Sequence, residues 1–240
     1  MATVAEVMDD VAEECSVSAP NAWVSSSTAS ISELKRFLRQ TADELLDRVD
    51  WPDPITADTV ITGTGAETYD LPGSFKRLTR DPLTVYELTT TRRAGVPVNS
   101  NGAWTHLKQI GSAGGDRYYR LSGDEAAGFK ISFYRNPGAG ESITVSYVSK
   151  NWMRNGSTLV ADWTDEAAVL LLPRKVVEMG VIWRWRRRKG LPFTDRLAEY
   201  EINVERLAND YRGIRTINFG GRPAMKSPFD IPVPDIIPTA

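Results

Sequence analysis

The stretch TDEAAVLLLPRKVVEMGVIWRWRRRKGLPFTDRLAEYEINVERLANDY, residues 164–211, decides how this chain is read. Its pattern is helical on both sides of a break. Thr164 to Lys189 reads as one helix-forming segment. Thr194 to Tyr211 reads as a second, because Leu197, Tyr200, Val204, Leu207 and Tyr211 step three and four apart while Arg196, Glu199, Glu205, Arg206 and Asp210 fall between them. Gly190-Leu191-Pro192 ends the first segment, since Gly takes the left-handed turn that closes a helix and Pro cannot continue one. Pro173 either kinks the first segment or marks a fresh first turn. Together the two segments predict an antiparallel hairpin whose apolar faces need partners.

Downstream, residues 213–240 read as neither helix nor strand. They hold Pro223, Pro228, Pro232, Pro234 and Pro238, yet also Ile214, Ile217, Phe219, Phe229, Ile231, Val233, Ile236 and Ile237. A merely disordered end would be poor in such apolar residues, and Pro at this density prevents a helix. An extended arm that docks its side chains on something else fits both facts.

Upstream, the partners of the hairpin are legible. Thr3-x-x-Glu6 is a capping-box pattern, followed by Val4, Val7, Met8 and Val11 at helical spacing up to about Cys15. A Ser-rich loop over 16–27 carries an isolated Trp23 that can anchor it. Ser30-x-x-Glu33 is read as a second capping box, opening a helix with the stripe Ile31, Leu34, Leu38, Thr41 and Leu45, which Trp51-Pro52-Asp53-Pro54 stops. Charge is divided unevenly. Residues 1–58 hold 12 Asp and Glu against 4 Lys and Arg, whereas residues 174–240 hold 13 Lys and Arg against 8 Asp and Glu. The net charge of −2 therefore hides opposite signs at the two ends, which suit terminal segments that pack on each other, head-to-tail contact between copies, or two unrelated solvated faces.

From Ile55 to about Gly156 the pattern has period two. Thr59–Thr62, Val85–Leu88, Trp104–Leu107, Tyr118–Leu121, Phe129–Phe133 and Ser142–Val148 are β-branched or aromatic runs, separated by turn residues such as Asn101-Gly102, Ser122-Gly123-Asp124 and Asn136-Pro137-Gly138. The expected fold class is α+β: a four-helix bundle built from both ends of the chain, an inserted antiparallel β sandwich or barrel-like module, and an extended C-terminal arm. The expected divisions are 1–54, 55–157, 158–212 and 213–240.

Signals for catalysis are sparse. His106 is the single histidine and Cys15 the single cysteine, so no metal-ligand pattern or internal disulfide is read. No catalytic, cofactor-binding or metal-ligating residue is assigned. Gly63-Thr64-Gly65 lacks the third Gly of a dinucleotide fingerprint, and Gly138-Ala139-Gly140 lacks the Lys of a phosphate loop. The N-terminus is acidic and amphipathic, unlike a signal peptide. The longest apolar run, Ala167 to Leu172, is far short of the roughly 20 residues that span a bilayer. One charge feature stands out: Arg184, Arg186, Arg187, Arg188 and Lys189, interleaved with Trp183 and Trp185. It can pair with acids of the N-terminal helices or of an adjacent copy, face water at a helix C-terminus, or touch a phosphate backbone. The two tryptophans cannot share one helix face, so one is expected in the core and one at an interface.

Three segments then carry a resemblance: Tyr69-Asp70-Leu71-Pro72-Gly73-Ser74-Phe75-Lys76-Arg77-Leu78, the stretch Trp183 to Phe193, and Tyr200-Glu201. With the layout of two helices, β insertion, helical hairpin and arm, the chain resembles the head-to-tail adaptor (connector, or head-completion) proteins of tailed bacteriophages. The resemblance implies a virion structural protein at the head–tail interface, assembled in the host cytoplasm. It implies a ring, commonly of twelve copies, beneath the portal protein. That ring would extend the channel for double-stranded DNA without reading its sequence, and would give the tail or nozzle protein a platform. The arm would contact the portal, with Ile217, Phe219, Arg222, Phe229 and Ile231 as its expected contacts. The basic cluster would face the ring interface or the channel. Two other readings stand beside this one: a tail-associated cell-wall hydrolase using acids of the β module, and a nucleic-acid-binding module using Arg184 to Lys189.

Overall fold

The computed structural model describes residues 2–211 except 82, 90–92 and 112–115. The arm expected over residues 213–240, with Ile217, Phe219, Arg222, Phe229 and Ile231, lies outside the described residues.

Helix α1 (Val4–Glu14) opens as its sequence dictates. The Thr3 N–H donates to Glu6 Oε2 at 2.9 Å and the Glu6 N–H to Thr3 Oγ1 at 3.2 Å, satisfying two N–H groups that the helix cannot. Helix α2 (Ala29–Arg48) buries Ile31, Leu34, Phe37, Leu38, Thr41, Ala42, Leu45 and Leu46. Its expected capping box is not formed: Thr28 stands at the N-cap without a side-chain cap bond, and Glu33 turns to cations of another helix. The loop between them is anchored by buried Trp23, whose Nε1 donates to Asp9 at 2.8 Å and whose ring stacks on Trp163 at 6.2 Å.

The β region forms three sheets among the described residues, not a closed barrel. The first contains β1 (Thr56–Thr62), β3 (Phe75–Leu78) and β4 (Val85–Glu87), all antiparallel to the long β8 (Ser142–Ser149). The second has the order β2-β7-β6-β5, from β2 (Thr68–Asp70), β7 (Gly128–Tyr134), β6 (Tyr118–Asp124) and β5 (Val96–Pro97); its β5–β6 pair is parallel. These two sheets share a core that includes Phe75, Val85, Ile143 and Val145 from one and Tyr119, Ile131 and Phe133 from the other. The third sheet pairs β9 (Met153–Asn155) with β10 (Thr158–Val160) and β11 (Val169–Leu170). Its Met153 and Leu170 belong to the helical core.

Two expected elements change type. Trp104–Leu107 is not a strand but part of α3 (Asn101–Ile110), because Ser100 caps it by accepting from the Ala103 N–H at 3.3 Å. Trp104 is then buried with the Arg120 guanidinium over its ring. Residues 164–172 are not helical. The Val4 N–H donates to Ala168 O at 2.8 Å and the Leu170 N–H to Ala2 O at 3.1 Å, so backbone pairing with the N-terminus and β9 claims this run. Pro173, at φ −60° and ψ 117°, is the N-cap of a fresh helix, α4 (Arg174–Arg188).

Helix α4 is the hub of the helical core: it packs on α1, α2 and α5 (Thr194–Tyr211). Trp183 meets Tyr200 at 6.3 Å and Asn203 meets Met179 at 3.8 Å, so α5 runs antiparallel to α4 as the hairpin pattern predicts. Gly190, at φ +71°, takes the left-handed turn between them, and the Leu191 N–H donates back to Arg186 O at 2.9 Å. Because α4 is enclosed on several sides, Trp183 and Trp185 are both buried in this one core. The expected division of one in the core and one at an interface is corrected accordingly.

Candidate functional site

The basic cluster occupies the last turns of α4, where the helix dipole favours cations. Its members do different things. Arg184 lies against the neck of the core: Nη1 donates to Thr41 Oγ1 at 3.0 Å and to Gly180 O at 2.7 Å, Nη2 pairs with Glu44, and the guanidinium lies 4.4 Å from the centre of the Trp183 ring. Arg188 and Lys189 converge on Glu33 of α2 at 3.1 and 2.8 Å, and the Lys189 ammonium also lies 4.3 Å from the Trp185 ring centre. The bond from Lys189, then that from Arg188, holds the Glu33 carboxyl below the usual carboxylate range. Arg186 donates to Pro192 O at 3.3 Å and meets no carboxylate at ion-pair distance among the described residues. The Arg187 side chain is exposed and makes no ion pair or hydrogen bond with another described residue.

The reading in which this cluster pairs with acids of the N-terminal helices therefore holds for Arg184, Arg188 and Lys189. The same logic runs along the whole core. Arg174 pairs with Asp10 and Arg196 with Glu14 at 2.8 Å, while Arg48 of α2 pairs with Glu201 of α5 at 2.6 Å in the reverse sense, with the cation on the N-terminal helix. The opposite charges of the two chain ends thus meet within one chain. Exposed pairs of this kind contribute only about 0–1 kcal/mol each, so they fix which helix lies beside which more than they stabilise the core.

What remains is a groove of about 400 Å³ between α2 and α4, lined by Phe37, Gln40, Trp183, Arg184, Arg187 and Arg188. Its uncompensated charge is on Arg187, and its chemistry suits the carboxylates or phosphates of a partner. Nothing in the spacing of residues 183–189 identified Glu33 and Glu44 as partners. Only the i, i+4 pattern of α2, folded against α4, reveals them.

Elsewhere, His106 lies exposed on α3. Cys15 is half-buried, and burial pushes its thiol up to about 12, with Glu14 adding to the rise and Arg186 opposing it. Among the described residues, no three His, Cys, Asp or Glu side chains converge to hold a metal ion, and no helix is long and apolar enough to cross a membrane.

A family model described as SU10 adaptor protein matches residues 2–223, which takes in both helical portions, all the sheets, the α2–α4 groove and the first residues beyond α5. No curated protein matches the chain at a significant level. The match bears out the resemblance to phage head-to-tail adaptors drawn from the segments at 69–78, 183–193 and 200–201, and it indicates a structural, virion-associated role. The chain belongs to the SU10 adaptor protein family.

Proposed function

We propose that this protein is a head-to-tail adaptor that forms a dodecameric ring under the portal, extends the DNA channel and offers the tail or nozzle protein its platform. The observation that carries this reading is the family match over nearly the whole chain. The helices form the ring wall as a four-helix bundle, and the β region of residues 55–157 projects from it as an inserted module. The arm, residues 213–240, reaches the portal through Ile217, Phe219, Arg222, Phe229 and Ile231. An extended segment of this kind can add a strand to a portal edge and seat alternate side chains in pockets. Arg186, Arg187 and the exposed side of Arg188 face the adjacent copy or the channel, where DNA passes without sequence recognition. The role is structural rather than enzymatic, at the head–tail interface of a virion assembled in the host cytoplasm.

The internal pairing of Arg184, Arg188 and Lys189 supports this over a dedicated nucleic-acid-binding module, since three of the five cations are already engaged by α2. Infection with a phage lacking the protein tests the proposal. DNA-filled heads and separate tails should accumulate, and the purified protein should join them. Tailed particles formed at normal yield without it would refute the role.

A further inference from the structure

A cavity lies where the helical core meets the β region, and the role above leaves it unassigned. It measures about 940 Å³. Its helical side is Trp51 at the end of α2 and Tyr211 at the end of α5, whose rings meet edge-on at 5.4 Å. Its other side is the outer face of the sheet formed on β8: Thr56 and Asp58 of β1, and Ser146 opposite Asp58 in register. The inner face of that sheet is covered by its own core; the outer face meets the helical core at Val148, but towards Val60 no described residue covers it. Val60, two residues beyond Asp58 on the same face, is 58% exposed, and Leu83 at the cleft wall is 38% exposed.

The cleft is acidic: Asp50, Asp53, Asp58 and Asp81 line it beside one cation, Arg80, whose guanidinium donates to Arg48 O and Asp47 O, and of these acids Asp50 alone is ion-paired among the described residues. Asp50 is engaged by Arg77 at 2.6 Å and by the Arg80 N–H at 2.8 Å. Asp58 accepts from Ser146 Oγ at 2.6 Å and Asp81 from the Leu83 N–H at 2.6 Å, yet neither has a cation at ion-pair distance among the described residues. Asp53 has no hydrogen-bond or ion-pair partner there at all. These carboxylates are spread along the cleft and do not converge as a metal site would. An occupant with cations spaced along a chain matches that distribution.

Such a chain begins at the cleft itself. Tyr211 lines the wall, so residue 212 starts at the rim. Residues 212–229 contain Arg212, Arg215, Arg222 and Lys226 and not one acid before Asp230. At roughly 3.3–3.6 Å per extended residue, Arg215 lies within about 14 Å of Tyr211. Ile214, Ile217 and Phe219 lie between and beyond these cations, as apolar side chains suited to Val60 and Leu83. We infer that the cleft is the docking site of the chain's own proximal arm, Arg212 to Phe219. The arginines answer Asp53, Asp58 and Asp81, and the apolar side chains cover the outer sheet face. In the free protein the arm then has two parts: a proximal part bound in cis, which sets its direction of exit and whose Ile217 and Phe219 leave the cleft to make the portal contacts proposed above, and a distal part from Arg222 onward that is free to reach a partner from the start.

Hydrogen exchange on the full-length protein, without portal, tests this independently of the adaptor role. Amides of residues 212–219 should exchange at least about tenfold more slowly than the free-chain rate, those of 230–240 at that rate, and the protection should not change on dilution. Asp58→Lys should abolish it, as should Arg212→Glu with Arg215→Glu, with unchanged melting. Combining the three should restore part of it. Free-chain exchange at 212–219 would overturn the inference. So would protection lost on dilution, which would place the segment on a second copy, or protection seen only after portal is added.

Discussion

Gly180 sits where α4 passes between α2 and α5, and it provides the sharpest test of the helical core. A Cβ built there would lie 2.3 Å from Thr41 Cγ2, 3.0 Å from Thr41 Oγ1 and 3.1 Å from Tyr200 Cε2. Thr41 cannot simply rotate away. Its hydroxyl donates to Phe37 O at 2.8 Å and accepts from Arg184 at 3.0 Å, so moving it disturbs the one cation that ties α4 to Glu44. Gly180→Ala gains about 1 kcal/mol of helix propensity and loses about 1–3 kcal/mol to overpacking. The pair of broken or lengthened hydrogen bonds pushes the result toward the upper end, for a net loss of about 1–2 kcal/mol. For a chain of this size that lowers Tm by roughly 2–8 °C. Urea or thermal unfolding followed by circular dichroism reads it directly. Thr41→Ser removes Cγ2 and keeps the hydroxyl, so it should recover much of the loss when combined with Gly180→Ala. If Gly180→Ala is as stable as the parent, or Thr41→Ser fails to relieve it, the close approach of α2, α4 and α5 is not as described.

Other consequences follow from the same geometry. Cys15 should resist iodoacetamide at pH 8 in the folded protein and react readily in urea, because burial keeps its thiol protonated; rapid labelling of folded protein would contradict that environment. The Glu33 carboxyl is held below its usual range, so its contribution is full above the unfolded value and is lost as pH falls through the lowered one. Glu33→Gln should therefore cost no more than about 1 kcal/mol at pH 7, because its partners Arg188 and Lys189 are exposed, and progressively less as the solution is acidified below the usual carboxylate range. A cost that grows as the solution is acidified would reverse the sign of this argument. Changing Arg186 and Arg187 to Glu should leave melting nearly unchanged, since neither has a carboxylate partner, while lowering the yield of tailed particles in complementation. Normal yield would assign both to solvent.

The elements governed by local rules were legible in the sequence. The Thr3–Glu6 capping box and the stripe of α2 form as read, and the stripe of α5 forms with Tyr200 and Val204 buried and Leu197 and Leu207 half-buried, while Tyr211 at its end stays 45% exposed. What escaped reading depends on distant partners. Ala167 to Leu172 is a short apolar run, equally compatible with helix and strand, and the N-terminal backbone at residues 2–4 decides it. Trp104 to Leu107 alternates like a strand, but the Ser100 cap and the stacking of Arg120 on Trp104 favour a helix. Glu33 sits at a capping-box position and is instead recruited by Arg188 and Lys189, cations 155 and 156 residues away. The candidate site shows the same split. Composition marked the basic cluster, whereas the division into Arg184, Arg188 and Lys189, held by α2, and Arg187, left open, is a product of tertiary packing. The cleft beside Tyr211 left no local trace, because its acids come from the end of α2, from β1 and from the turn before β4.

Imaging the protein by electron microscopy with purified portal of the same phage tests the central claim most directly, using the full chain beside a chain ending at residue 212. The account predicts a monomer in isolation and a ring of density on one face of the portal with the full chain. It also predicts bare portal with the truncated one, although the truncated protein still unfolds cooperatively. Portal that stays bare with the full chain would contradict the adaptor role. Equal occupancy by the truncated chain would move the portal contact from the arm to the helical body.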